Sequence, residues 1–465
     1  MRVSIEVLHV IQQFGRGGAS QALSSLIDTA TSSRHRVVSL IPAVPSAKDH
    51  LLEKGIPLFE HPLQLELECL VESADIVQLH FWNTPELYEF MSRPITARII
   101  LWSHISGNTA PHIVTPELAS YPDLIISTGL PFDHLCDKGL VIKPRTPHNI
   151  TQSPRPTEKT ETFTVGIFGT LDSGRSEASA FDVFVAAKLP GAKLLIVGSG
   201  DLVPMWRGQA ESLNMLDRVE FTGFVNDVGS QLGRMDLLLH MPRKDSSATS
   251  DLALQEALLA GVVPVVTSGT PVTDLVRHGF DALVAFDSDE CVVHLRALFQ
   301  QPVLLRRLRE EGLRRSRQDF APQLSAQQFE DHYRQLMDQP VRTHQFPIDL
   351  ADSGTQRFIA TLGFAAETFR VSATRGNGWQ EADETIALSS PALVGAGAGG
   401  ILHYRGYYPH DPILRYWAGL VFAAQGRTAF AAAEFAAAAK AGVLGSEERL
   451  KALLGSSQEF KEQRC

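Results

Sequence analysis

The chain has 465 residues, enough for two or three domains, with 44% hydrophobic and 20% charged residues. That balance is ordinary for a soluble globular protein, and a formal charge of −10 gives no reason to expect nucleic-acid binding. Four scattered cysteines (Cys69, Cys136, Cys291 and Cys465) have neither metal-type nor disulfide-framework spacing, and no apolar run reaches the roughly 18 residues of a membrane span.

The opening MRVSIEVLHVIQQFG reads as a strand rather than a signal peptide. A cytoplasmic location is therefore expected, with peripheral attachment to the inner face of a membrane left open. Short apolar runs then alternate with helical stretches. Strands are expected at 3–11, 36–42, 75–82, 97–104 and 123–128. After the polar stretch TQSPRPTEKTET (151–162) the rhythm restarts, with strands expected at 163–169, 193–198, 218–223, 235–241, 262–268 and 282–286. Near-continuous apolar strands alternating with helices mark buried parallel sheets. Two such series predict an α/β protein with two Rossmann-like, doubly wound domains, at 1–150 and 151–335. In that class ligands bind outside the carboxyl ends of the strands, so a cleft between the two domains is expected.

The texture changes near residue 336. A linker-like stretch and the Gly- and Tyr-rich PALVGAGAGGILHYRGYYPHDP lead into a strongly helical segment, 413–443. There Gly419, Phe422, Gly426, Ala431, Phe435 and Ala438 fall at the offsets of a tetratricopeptide helix pair. Residues 336–465 read as a linker and a helical, tetratricopeptide-like extension, either a peptide-binding surface or a plain Ala-rich hairpin.

Three stretches can carry chemistry. In FGRGGASQALSSL (14–26) a glycine turn with Gly17 and Gly18 ends the first strand and opens a helix, where free N–H groups favour an anion. FGTLDSGRS (168–176) leaves its strand at Thr170 and reaches Arg175. The loop after 235–241 starts a helix at 250–253, with Ser250 as the expected N-cap, Asp251 in the first turn with a helix-capping role, and Leu252 within the anion-facing start. Arg175 and that helix start can grip one diphosphate between them. Further into the same helix, Glu256 sits in the apolar run ALQEALLAGVVPVV. Carboxylates are almost never fully buried without a partner. Two ribose hydroxyls would satisfy it, and so would an internal salt bridge.

The segment QEALLAGVVPVVTSGTPVTDLVRHGFDALVAF (255–286) resembles the retaining, nucleotide-sugar-dependent glycosyltransferases of family four, which have the two-domain GT-B arrangement. The resemblance extends to GRGGASQALSSL, to DIVQLHF with His80, to IILWSH with His104, to PHNI with Asn149, and to residues 194–225, covering roughly 3–335. It implies that Glu256 binds the ribose, that Gly17 and Gly18 approach donor phosphates or acceptor, and that His104 lies beside the transferred sugar. The family's phosphate-gripping arginine and lysine fall on Thr170 and Arg175, so one cation is missing and the other is a guanidinium. The family's other acid would stand at Ala248. Counted from the preceding strand, Asp245 takes that place, to hold donor hydroxyls or simply as a solvated loop acid.

The expected function is transfer of a sugar from a nucleoside diphosphate sugar to an acceptor hydroxyl with retention of configuration. No metal or other cofactor is expected, because arginine, helix start and glycine turn would supply the positive electrostatics. By resemblance the acceptor is a saccharide, lipid-linked or protein. The rivals are a catalytically weakened GT-B protein acting as partner or scaffold through its C-terminal helices, and a sugar-nucleotide epimerase of the same architecture.

Overall fold

A computed structural model describes residues 4–128, 140–142, 162–244 and 251–462. Its first sheet contains β1 (Ile5–Ile11), β2 (Ser33–Ser39), β3 (Leu58–Glu60), β4 (Ile76–Phe81) and β5 (Ile95–Ser103). A short hairpin of β6 (Asn108–Thr109) and β7 (His112–Ile113) intervenes before β8 (Leu124–Ser127) and β9 (Leu140–Val141) rejoin the sheet. The second sheet contains β10 (Thr164–Thr170), β11 (Lys193–Ser199), β12 (Val219–Gly223), β13 (Leu237–His240), β14 (Val263–Thr267) and β15 (Leu283–Ala285). All eleven strands expected from the apolar runs are present. The short β3 and β9 were not expected, since three and two residues carry no readable periodicity.

Strand order is β3-β2-β1-β4-β5-β8-β9 in one sheet and β12-β11-β10-β13-β14-β15 in the other, and the pairs along each path are parallel. Both orders reverse direction beside their first strand, between β1 and β4 and between β10 and β13. Such a reversal leaves a crevice at the carboxyl ends, because the crossover helices on its two sides lie on opposite faces. The central strands are apolar throughout because both faces are covered. β4 is buried at every position, and β10, β11, β13 and β14 share cores with the helices Ala180–Ala187, Ser288–Gln300 and Leu252–Leu259.

The helix Pro322–Met337 lies at the end of the stretch expected to form the second domain. It packs on the first sheet instead, where Ala326, Phe329, Tyr333 and Leu336 join Val7, Ile76, Ile100 and Trp102. The Tyr333 hydroxyl donates to Gln78 Oε1 at 2.5 Å, which satisfies that amide oxygen in the buried strand β4. The apolar period of this helix identifies a buried face but does not say which sheet covers it.

Two compact units divide the chain. The first holds both sheets. The second combines residues 343–465 with two pieces from earlier in the chain, 82–95 and 107–121. Its core is helical and aromatic: Phe358, Phe369, Tyr404, Trp417 and Phe435 meet around the helices Gly354–Ala360, Ala366–Thr374, Ile401–Tyr407, Pro412–Ala424 and Thr428–Lys440. The last two form the expected hairpin. A Cβ on Gly419 would stand 2.6 Å from the Phe435 ring, which explains the small residue there, and Gly426 (φ +70°) supplies the turn. Among the described residues no helix is long and apolar enough to cross a membrane.

Candidate active site at the sheet switch points

β10 and β13 are neighbours, so the loops that leave them flank the switch point of the second sheet. Gly169, near the end of β10, has φ +127°, and a Cβ there would lie 3.6 Å from that of Ala253. The first turn of helix Leu252–Leu259 therefore sits close against the strand end. Beyond Thr170, which is exposed and uncharged, the chain is tied to the segment after β13. Arg243 N–H donates to the Arg175 carbonyl at 2.8 Å, Glu177 N–H donates to the Met241 carbonyl at 2.8 Å, and Ser176 bridges to Pro242. These bonds place Arg175 beside the helix start. Burial lowers the pKa of its guanidinium, and the charges of Asp172 and Asp251 oppose that shift.

Asp251, expected to cap this helix, is its N-cap, its carboxylate accepting the Leu254 N–H at 2.9 Å, and Ser250 lies outside the described residues. Aspartate caps as well as serine does, and here it has a second partner. His240 Nε2 at the end of β13 lies 2.9 Å from Asp251 Oδ2, an ion pair rather than a well-aligned hydrogen bond. Burial pushes the Asp251 carboxyl up, but His240, the Leu254 amide and Arg175 outweigh it and hold the pKa below the ordinary value. Burial likewise lowers the His240 pKa, and Asp251 more than restores it, so the net shift is upward.

Glu256 lies four residues past Leu252, roughly 6 Å along the axis at about 1.5 Å per residue. It is 9% exposed. Among the described residues no lysine, arginine or histidine pairs with it. Burial, and then the nearby Asp251 charge, push its carboxyl up to about 8. The internal salt bridge considered from sequence is absent among the described residues. The acid is held in a position that suits a donor of hydroxyl hydrogen bonds rather than a cation.

The first sheet contributes from its own switch point. β1 runs into the turn Gly15–Gly18, held by the Gly15 N–H donating to Ser20 Oγ at 2.9 Å. Gly17 is the N-cap of helix Gly18–Thr29, has no side-chain cap and is open on all sides. A Cβ on Gly18 would come within 4.0 Å of the Leu252 side chain, so the glycine turn of one sheet meets the helix start of the other. Arg16 stacks over the Phe224 ring at 4.2 Å from the same direction. His104 follows β5 and is buried, and burial lowers its pKa to about 3. It is not an isolated core histidine: Nε2 lies 3.2 Å from His80 Nδ1.

The structure thus gathers Gly17, Gly18, Thr170, Arg175, Leu252 and Glu256 near the facing carboxyl ends of the two sheets, with His104 at the end of a first-sheet strand. Asp245, Ala248 and Asn149 lie outside the described residues. Sequence reasoning missed His240, which orients Asp251, and His9 and His35, which extend the contact of His80. The legible signal was a histidine within or at the end of an otherwise apolar run, as in VSIEVLHVI and MDLLLHM.

Comparison with known proteins agrees with this architecture. Among solved structures, Anabaena HepE in complex with UDP and glucose shares 19% identity at a TM-score of 0.58, with 71% of this chain and 100% of that one covered. Sucrose-phosphate synthase from Thermosynechococcus elongatus shares 14% at 0.55, with 72% and 99% covered. WaaG, a glycosyltransferase involved in lipopolysaccharide biosynthesis, shares 16% at 0.51, with 69% and 98% covered. At such identities the likeness is one of fold, and more than a quarter of this chain lies outside it. No curated protein matches the sequence. Residues 176–315, which begin just after Arg175 and span the helix start and Glu256, match the family Glycosyl transferases group 1. The chain has the GT-B fold with a mostly helical C-terminal region, and within it residues 176–315 are similar to the glycosyl transferases group 1 family.

Proposed function

We propose that the protein transfers a sugar from a nucleoside diphosphate sugar to an acceptor hydroxyl with retention of configuration. The observation that carries this reading is Glu256, a buried carboxyl with no cation among the described residues, set just over a turn behind a helix start that Arg175 flanks. An anion at the helix start and a ribose on Glu256 match the order of groups along a nucleoside diphosphate. The solved relatives of this fold include one bound to UDP-glucose, which supports the same ligand class here.

The chemistry follows from charge. Departure of a diphosphate leaves an oxocarbenium-like centre, and the protein's task is to stabilise the leaving charge and orient both substrates. The N–H groups at 252 and 253 and the Arg175 guanidinium face the diphosphate, and the uncapped N–H groups at Gly17 and Gly18 add positive potential from the other sheet. These groups supply the electrostatics without a metal ion. Two ribose hydroxyls donate to Glu256, and that favours its ionised form over the protonated one that burial imposes. His104 lies beside the sugar, Asp245 holds its hydroxyls, and the acceptor is a saccharide, free, lipid-linked or on a protein.

A thermal-shift screen against UDP, GDP and ADP, followed by hydrolysis of the matching sugar nucleotide, tests the reading. One of them is expected to raise the melting temperature of the wild type, since a ligand preferring the folded state stabilises it. Glu256→Ala should lose that shift. Nucleotide binding with no turnover in any acceptor mixture would instead favour the scaffold reading, which the uncharged Thr170 motivates.

A further inference from the structure

Four histidines cross the first sheet in one continuous hydrogen-bonded row. His35 Nε2 lies 2.9 Å from the Ala30 carbonyl, His9 Nε2 lies 2.9 Å from His35 Nδ1, His80 Nε2 lies 3.2 Å from His9 Nδ1, and His104 Nε2 lies 3.2 Å from His80 Nδ1. The register builds the row. Val7 stands beside His35, His9 beside Gln78, and Ile11 and Trp102 beside His80. Each step therefore moves one strand across and two residues toward the carboxyl edge, and a shift of two keeps every ring on the same face.

The polarity of the row is determined at one end. A carbonyl only accepts, so His35 Nε2 must donate to Ala30. A neutral imidazole has one donor and one acceptor nitrogen, so His35 Nδ1 accepts from His9 Nε2. The same step repeats through His80 to His104, and each ring is left carrying its proton on Nε2. Neutrality is supported throughout, because burial holds all four below the ordinary imidazole value. The charged groups facing the row are Glu330, on helix Pro322–Met337, and Glu6, both acting on His35, where they partly oppose that shift. Trp102 packs against His80 and His104 at ring-centroid distances of 5.4 and 4.9 Å. The row is not a metal cage: among the described residues no three of His, Cys, Asp or Glu converge on one point.

We propose that His35, His9 and His80 are positioning residues that hold His104 as its Nε2–H tautomer, so that its Nδ1 lone pair accepts a hydrogen bond from a ligand hydroxyl at the carboxyl edge of the first sheet. The identity of that hydroxyl as a sugar's rests on the sugar-transfer reading; the polarity of the row does not. A row anchored by a donor in place of the Ala30 carbonyl would present an N–H at His104 and select the opposite ligand group.

The test reads tautomers in the unliganded, full-length protein labelled with 15N-histidine, where long-range 1H–15N correlations show which ring nitrogen carries the proton. The wild type is expected to show all four rings as single Nε2–H tautomers that do not titrate between about pH 7.5 and 6. An Nδ1–H signal or tautomer averaging at any of the four would overturn the proposal. His35→Leu removes the link to the Ala30 carbonyl and should abolish the single tautomer at His9, His80 and His104, whereas His35→Gln, which can both donate to Ala30 and accept from His9, should keep it. An unchanged His104 spectrum in His35→Leu would also overturn it. Should that variant not fold, loss of the His104 tautomer in His35→Gln has the same consequence. No ligand enters these measurements, so a failure of the sugar-transfer reading would leave them intact and would be seen separately in the nucleotide screen.

Discussion

In the helical unit Asp383 is fully buried, yet its carboxylate accepts from Ser372 Oγ and Tyr416 Oη, each at 2.6 Å, and pairs with Arg375 at 3.1 Å. Asp411 there accepts from the Thr355, Ile413 and Leu414 amides, and Glu434 lies between Arg405 and Arg415. In the second Rossmann-like domain Asp281 has the same kind of surroundings, with Arg315 and the Arg277 amide. Glu256 does not: it is as buried as Asp411 and has no cation among the described residues. The difference separates an acid held by donors within the fold from one that, under the proposed function, is left for a ligand. Where the chain supplies the partners, the carboxylate is structural; where it does not, burial favours the protonated carboxyl of Glu256.

The comparison breaks most visibly at the structural end. Asp383→Ala leaves Arg375 unpaired in the core and should destabilise the helical unit by about 3–5 kcal/mol, read as a shift in its urea midpoint. Glu256→Gln should behave in the opposite way. It should not lower the melting temperature, while weakening nucleoside diphosphate binding by about 1.5–3 kcal/mol, the worth of hydrogen bonds to a charged group, measured by calorimetry. Glu256→Gln binding as tightly as wild type would remove the distinction between the two classes of acid.

Protonation sharpens it further. The unfolded Glu256 carboxyl ionises near 4.5, but the folded one keeps its proton up to about 8, so the folded state binds more protons between those values. The contribution of this residue to stability should therefore fall as pH rises from about 4.5 to 8, and Glu256→Gln should abolish that slope in thermal melts. Binding of the nucleotide should release a proton near neutral pH, visible as a buffer-dependent heat. Arg175→Ala should weaken a nucleoside diphosphate about tenfold more than the corresponding nucleoside, since only the former presents the anion. The smallest effect is expected for Thr170→Arg, which restores a cation at an exposed position: a gain of less than about 1 kcal/mol in diphosphate affinity, lost at high salt.

Much of this was legible in the chain itself. The eleven longer strands announced themselves because a strand covered on both faces must be apolar along its whole length. Glu256 could be singled out for a related reason: one acid inside such a run needs a partner that local sequence does not provide. The helix start at Leu252 and the capping role of Asp251 were readable from the polar loop, whereas the pairing of Asp251 with His240, eleven residues earlier, was not. The histidine row was not readable. His35, His9, His80 and His104 stand on four separate segments, and their two-residue offsets matter only once the strands pair in register.

Periodicity, being local, settled the number and kind of the main elements, the division into two α/β series and a helical region, and the presence of an acid inside an apolar run just past a helix start. Tertiary structure alone decided which sheet the helix Pro322–Met337 would cover, that residues 82–95 and 107–121 would join the helical unit, and that no cation among the described residues would reach Glu256. Those outcomes depend on distances between segments far apart in the chain, and burial patterns along one segment carry no information about what buries it.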